Sequence, residues 1–335
     1  MIGGPILDCA VCGAPLQPAD RFCEECGSRA GAQEQRTSAG GDACHACGAP
    51  AGALGDDGSC RFCGTPARDP GDRVEVDLVV AAAITDRGRV RARNEDAMHL
   101  DRVGPGKVVA VVCDGVSSSF SGDVAARTAA SAAGSVLAER AGGRPEEAEQ
   151  ATEEAVTAAR RAVERLDWTE RASRPVPSCT FVSVVAGPEG LVVGWVGDSR
   201  AYWIASGESR RLTRDDSWAV EQVEEGLMSA AEADADPRAH AITRWIGADA
   251  PDDPPRIATM RPTGPGRLLL CSDGLWNHLP DPVAIEGLLD GLPATASAVA
   301  AARALADAAL AAGGQDNITV VVIDVDPGGP GSEWS

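Results

Sequence analysis

Residues 108–115 read Val-Val-Ala-Val-Val-Cys-Asp-Gly, and residues 268–274 read Leu-Leu-Leu-Cys-Ser-Asp-Gly. Each is an apolar run of strand length that ends in a carboxylate followed by glycine. The juxtaposition recurs at Asp96 in Arg-Asn-Glu-Asp (93–96), at Asp198 in Gly-Asp-Ser-Arg (197–200) and at Asp316, ahead of Asn-Ile-Thr-Val-Val-Val (317–322). An ionised carboxylate beside an apolar strand is costly unless a cation or donor compensates it. One such residue is an ordinary strand-end cap. Five of them point to convergence on hard divalent ions, because magnesium and manganese prefer oxygen ligands.

Outward from these runs, strands are expected at 76–85, 107–113, 179–186, 191–197, 200–205, 267–271 and 317–325, and helices at 122–141, 145–167, 281–290 and 294–312. Several strands follow one another across short turns, as at 179–205, which favours antiparallel pairing over a doubly wound parallel sheet. The expected class is α+β, with two stacked antiparallel sheets covered by helices.

The 335 residues can hold one large domain and small modules. A formal net charge of -20 argues against a nucleic-acid surface, which needs clustered Lys and Arg. No run of 18 apolar residues predicts a membrane span, and the N-terminus lacks the basic and apolar regions of an export signal, so a cytoplasmic location is expected.

Eight of the eleven cysteines precede residue 64, as four Cys-x-x-Cys knuckles: Cys9/Cys12 with Cys23/Cys26, and Cys44/Cys47 with Cys60/Cys63. Knuckles leading into glycine suit tetrahedral zinc–thiolate coordination, and the pattern resembles a double zinc ribbon. A disulfide framework is the competing reading. His45, inside the third knuckle, reads as a loop residue beside four available thiolates. Closed four-ligand sites would be structural, holding two zinc ions in modules too small to fold without metal. Residues 1–70 carry nine acidic residues against five arginines, so protein contact is the expected use of these modules. The expected divisions are ribbon 1 at 1–30, a linker at 31–43, ribbon 2 at 44–66, a linker at 67–75, the large domain at 76–326 and a tail at 327–335.

Within the large domain, Thr85-Asp86-Arg87-Gly88-Arg89-Val90-Arg91-Ala92-Arg93-Asn94-Glu95-Asp96 resembles the opening motif of the metal-dependent 2C-type serine/threonine protein phosphatases of bacteria. The resemblance continues through Cys113-Asp114-Gly115, Ser178-Cys179-Thr180, Val196-Gly197-Asp198-Ser199-Arg200-Ala201-Tyr202, Leu212-Thr213-Arg214-Asp215, Ser272-Asp273-Gly274-Leu275-Trp276 and Asp316-Asn317-Ile318-Thr319, in the family's order. It implies a four-layer αββα sandwich with metals at one end of the sheets. It also implies hydrolysis of phosphoserine and phosphothreonine on proteins by water activated between two manganese or magnesium ions.

Carried over by position, the resemblance makes Asp114, Asp273 and Asp316 direct ligands, with Asp114 bridging and the Gly115 carbonyl completing one shell. Glu95 would act through coordinated water and Asp96 as an acceptor behind the ligands. Asp198 with Asp273 matches a weaker third-metal site, and Arg91 the arginine that grips the substrate phosphate. Cys113, Cys179 and Cys271 lie in apolar strands and read as buried hydrophobes, not nucleophiles.

The match departs from the family in two places. Relatives read Asp-Gly-Met-Gly-Gly-His where this chain has Asp114-Gly115-Val116-Ser117-Ser118-Ser119, so serine replaces a proposed general acid. Asp215-Asp216-Ser217 stands where Asp-His-Ser is common. His278 is a histidine that could approach the metals. Residues 214–247, with Trp218 and Trp245, correspond to a flap beside the active site. The expected partners are phosphorylated proteins, namely a serine/threonine kinase or its targets, with the ribbons as a docking or regulatory module. The alternative is a pseudophosphatase-like sensor or scaffold with weak or no hydrolysis.

Overall fold

The computed structural model describes residues 7–8, 15–16, 35–38, 44, 49–50, 53, 55, 59–63, 72–104, 106–119, 121–167 and 176–327. The knuckle residues Cys9, Cys12, Cys23, Cys26 and Cys47, and the tail from 328, lie outside them.

Two antiparallel sheets stack face to face. The first has five strands, β6 (Asp96–Gly104), β7 (Lys107–Asp114), β9 (Phe181–Gly187), β10 (Gly190–Val196) and β14 (Arg256–Met260), in the order β14-β10-β9-β7-β6. The second has seven: β3 (Gln35–Ser38), β4 (Arg73–Asp77), β5 (Ala81–Asp86), β11 (Arg200–Ile204), β12 (Arg210–Arg211), β15 (Gly266–Cys271) and β16 (Ile318–Val325). Their order is β12-β11-β15-β16-β5-β4-β3. Two small pairs complete the strands, β1 (Leu7–Asp8) with β2 (Pro15–Leu16) and β8 (Ser178–Cys179) with β13 (Ile246–Gly247).

The helices α1 (Gly122–Arg140) and α2 (Pro145–Glu164) cover the first sheet; α5 (Asp273–Trp276), α6 (Pro282–Asp290) and α7 (Ala298–Ala311) cover the second. Two short helices, α3 (Trp218–Glu224) and α4 (Ala230–Asp234), lie in the segment between β12 and β13. Three buried clusters mark the layers. Ala125, Ala129, Ala133 and Val156 pack on the first sheet, Val112, Val184, Leu270 and Val321 fill the space between sheets, and Leu305, Ala306 and Ile285 pack on the second. This is the four-layer αββα sandwich. Central strands are buried on both faces, which is why β7 and β16 are continuous apolar runs.

The Ala-rich helices suit this arrangement, since small residues let α1 and α2 sit close to the sheet and to each other. Ser297 caps α7 by accepting the Ala300 N–H, so the helix begins at 298 and not at 294. No described helix is long and apolar enough to cross a membrane.

Three further expectations change. The strand read over 76–85 is two antiparallel strands, β4 and β5, reversed at 78–80; Asp77 accepts the Val79 N–H at 2.8 Å, and Val79 adopts φ 71°. Strands β6 and β14 add to the expected set: His99, Asp101 and Arg102 break the apolar pattern of β6, and β14 is a short, partly exposed edge. Within the span read as a linker at 31–43, residues 35–38 form an edge strand on β4, with Gln35 opposite Asp77 and Ser38 opposite Val74.

Candidate active site

Strand pairing sets the site at one end of the sandwich. The β6–β7 register puts Asp96, the first residue of β6, opposite Asp114, the last of β7. In the second sheet β15 runs through Cys271 into Ser272 and Asp273, which opens α5, while Asp316 lies two residues before β16. The loop 87–95 leaves β5 beside the start of β16, where Ile318 pairs with Asp86. Thus carboxylates from both sheets meet where the strands end.

Hydrogen bonds lock the frame. Asp96 Oδ2 accepts from Ser272 Oγ and Thr319 Oγ1, both at 2.7 Å. Asn317 is the stitch: its side-chain oxygen accepts the Glu95 N–H at 2.7 Å, and its amide nitrogen donates to the carbonyls of Arg87 and Arg93 at 2.8 and 2.9 Å. Asp316 Oδ1 accepts the Asn317 N–H at 2.8 Å, and Asp316 Oδ2 takes Arg91 Nη2 at 2.5 Å. Arg91 Nη1 donates to Ser117 Oγ at 2.9 Å. Asn277 Nδ2 donates to Asp273 Oδ2 at 3.2 Å. Nothing in the sequence marks Ser117, Ser272, Asn317 or Thr319 for these supporting roles, although the last three lie inside the quoted motifs.

The electrostatics are those of crowded like charges. Burial, then Asp96, Asp273, Asp198 and Asp316, hold the Asp114 carboxyl well above the ordinary range. Burial raises Asp96 to about 7 against its two hydroxyl donors, with Asp273 and Asp316 adding to the rise. Asp273 rises to about 6 through burial, then Asp316, opposed by Arg91 and by the Asn277 amide that donates to it. Asp198, buried, rises to about 8 through burial, then Asp273 and Asp215, against Arg200. An acid whose folded value is raised contributes stability that is full below its unfolded value and is lost as pH climbs through the folded one. Chelator-treated protein is therefore expected to melt at progressively lower temperature from about pH 5 to about pH 8, with manganese flattening the slope. A melting temperature that rises across that window in chelator would contradict this charge map.

The donor set fits hard divalent ions. It is built from carboxylate and carbonyl oxygens, and Asp96 Oδ1 is buried with no hydrogen-bond partner among the described residues. The backbone is pressed close at two glycines. A Cβ at Gly115 would lie 2.5 Å from the Gly122 backbone and 2.7 Å from the Glu95 carbonyl oxygen, and one at Gly274 only 1.9 Å from the Asn317 carbonyl oxygen. Side chains there would push apart the loops that carry the carboxylates.

His278 follows α5, half-buried, with its N–H on the Leu275 carbonyl. His240 faces Trp276 at 6.2 Å and lines a cavity of about 410 Å³ shared with Asp198, Arg200 and Arg211. Ser119 is buried, its hydroxyl without a partner among the described residues. Cys113, Cys179 and Cys271 are fully buried, and burial raises the thiols of Cys113 and Cys271, as small core residues would behave.

The second departure, Asp216, is fully buried and collects arginines. Arg256 Nε sits 2.6 Å from Oδ1, Arg244 Nη1 3.3 Å from Oδ2 and Arg214 Nη1 4.0 Å from Oδ1, while the Gly197 N–H donates to Oδ2 at 3.2 Å. The segment 214–247 is thereby tied to the residue preceding Asp198. Trp218 packs with Ala219, Ala233 and Ala239 under Arg238, whose guanidinium lies 3.9 Å from its ring, and Trp245 donates to Asp249. Trp218 thus serves the segment's own packing, and Trp245 bonds just beyond its end.

In the cysteine region, the sulfurs of Cys44, Cys60 and Cys63 lie within 4.8 Å of one another, with Cys44 and Cys63 at 3.6 Å.

Residues 86–311 match the protein phosphatase 2C family. The chain is 33% identical over 246 residues to the serine/threonine protein phosphatase PstP of Mycobacterium tuberculosis, covering 73% of this chain and 44% of that protein. The chain thus spans under half the length of that relative. Among solved structures, a bacterial serine phosphatase superposes with TM-score 0.65 at 25% identity, over 75% of this chain and 99% of that one. The catalytic domain of PstP, solved with two manganese ions, gives TM-score 0.55 at 27% identity, over 73% and 98%.

Proposed function

The chain belongs to the protein phosphatase 2C family, and from that premise we propose that it hydrolyses phosphoserine and phosphothreonine on proteins with two manganese or magnesium ions. The observation that carries this reading is the meeting of Asp114, Asp273 and Asp316, from three chain segments and both sheets, at one end of the sandwich, where Arg91 holds Asp316. The two manganese ions of the PstP catalytic domain support it.

In this reading Asp114, Asp273, Asp316 and the Gly115 carbonyl hold the ion pair, Glu95 acts through water, and Asp198 with Asp273 holds a weaker third ion. When bound, such ions lower the pKa of a coordinated water and neutralise phosphoryl charge. Asp96, fixed by Ser272 and Thr319, keeps the water or ligands behind the first carboxylates in orientation. Arg91 presents parallel N–H donors to the phosphate oxygens and fixes the phosphorus in the path of attack. Ser119, sealed and non-acidic, supplies no proton to the departing alkoxide, a function worth about 10²- to 10⁴-fold elsewhere, so a slow turnover is expected. The test is phosphate release from a phosphothreonine peptide with manganese. No release, with retained binding of the phosphopeptide, would favour a sensor.

The natural substrates in this reading are a serine/threonine kinase or its targets, inside the cell. The cysteine modules dock or regulate, each holding one structural zinc; Cys44, Cys60 and Cys63, with Cys47, form the second site, and the close approach of the three sulfurs supports it. Elemental analysis after mild chelation of manganese is expected to find about two zinc ions per chain. Absence of zinc, with the thiols paired as disulfides, would overturn the zinc assignment.

A further inference from the structure

Arg91 touches two groups of different character. Nη2 holds Asp316 Oδ2 at 2.5 Å, and Nη1 holds the neutral Ser117 Oγ at 2.9 Å. Asp316 Oδ1 already accepts the Asn317 N–H. Both oxygens of a carboxylate assigned to a metal therefore face donors, and one donor is a permanent cation. A divalent ion that takes Asp316 as ligand competes directly with Arg91 for Oδ2.

We propose that Arg91 is a latch on Asp316 and that Ser117 is the positioning residue that retains it when the latch opens. This rests on the metal reading of the site given above. A guanidinium displaced from Asp316 still has Ser117, an exposed side chain on the turn between Gly115 and α1, as a second anchor. Pivoting about that contact keeps the fork at the mouth of the site with donors free for phosphate. A hydroxyl suits the post: it accepts from arginine without cancelling the charge that a phosphate must meet. An aspartate there would hold Arg91 more firmly and spend its charge. Metal and phosphate binding are then coupled: the ion frees the arginine, and by reciprocity a phosphate that engages Arg91 favours the ion.

The experiment titrates manganese alone into chelator-treated full-length protein by calorimetry, with no substrate present. Arg91→Ala is expected to bind manganese about threefold to tenfold more tightly than the parent, the scale of one charge-assisted hydrogen bond. The difference should persist at about 0.5 M salt, where long-range repulsion is screened. Ser117→Ala should bind manganese no more tightly than the parent. It should raise both KM for p-nitrophenyl phosphate and the inhibition constant of inorganic phosphate about threefold to tenfold, with kcat within about twofold. Ser117→Thr, which keeps the hydroxyl, should restore both. Equal or weaker manganese binding by Arg91→Ala, or a difference that vanishes in salt, overturns the latch. Unchanged KM and inhibition constant in Ser117→Ala overturn the post. A parent that binds manganese while Arg91→Ala merely matches it sinks this inference alone, whereas a parent that binds none sinks the metal reading with it.

Discussion

Asp273→Ala is expected to lower manganese-dependent phosphate release by about 10³-fold, on the scale of losing one preorganised charge-stabilising group, without weakening the fold. Asp273 opens α5, half-buried, and accepts a hydrogen bond from Asn277. It is the carboxylate that both the proposed ion pair and the weaker third site would share. Its neighbours are mostly other carboxylates, so its removal relieves repulsion at Asp96, Asp114 and Asp198. In chelator the variant is therefore expected to melt at or above the parent's temperature. In manganese the parent gains stability by mass action and the variant gains less. Phosphate-release kinetics and paired thermal scans check both halves. A variant that hydrolyses phosphothreonine at the parent's rate would remove the catalytic centre from this end of the sandwich.

Asp216→Ala is the second large effect, and it acts on stability. A fully buried carboxylate that binds Arg244 and Arg256, with Arg214 nearby, is strongly stabilised by them, and removing one partner of a buried pair typically costs about 3–5 kcal/mol. Arg256 is 40% exposed and can reach water, which places the expected loss near the lower figure. For a domain of this size that lowers the melting temperature by about 10 °C. The damage should be local at first. Residues 214–247 lose their ion pairs to Arg256 and Arg244 and the side-chain half of their tie to Gly197, and limited proteolysis should cut there before the sandwich opens. Asp216→Asn keeps an acceptor for the Gly197 N–H but not the charge, and should fall between. An unchanged melting temperature with the segment still resistant to protease would show that packing, not the ion cluster, anchors it.

Much of the sandwich was legible in the chain because its central strands are buried on both faces. A run such as Val320–Ile323 leaves no other reading at that length. The edges were not legible. Strand β6 alternates apolar residues with His99, Asp101 and Arg102, and the hairpin at 78–80 lacks a glycine or proline to announce it. At the site, carboxylates were readable from their position after apolar runs, since desolvated charge demands an explanation wherever it occurs. Their supports were not. Ser272 and Thr319 reach Asp96 from positions 176 and 223 residues away, and hydroxyls are too common in sequence to carry such information. The Asp216 cluster likewise joins residues 28 and 40 positions apart. Only the fold reveals why an aspartate stands there.

The pairing of residues 35–38 with β4 alters how the N-terminal third of the chain should be dissected. A fragment started at residue 44 or later would expose the backbone amides and carbonyls of 73–77 as a bare margin, a template for another chain. Clumping or altered turnover of such a fragment would then report a stripped sheet and not the loss of a regulator. Trimming only as far as residue 34 leaves that margin covered, and is the cut from which the first cysteine module's own influence can be measured.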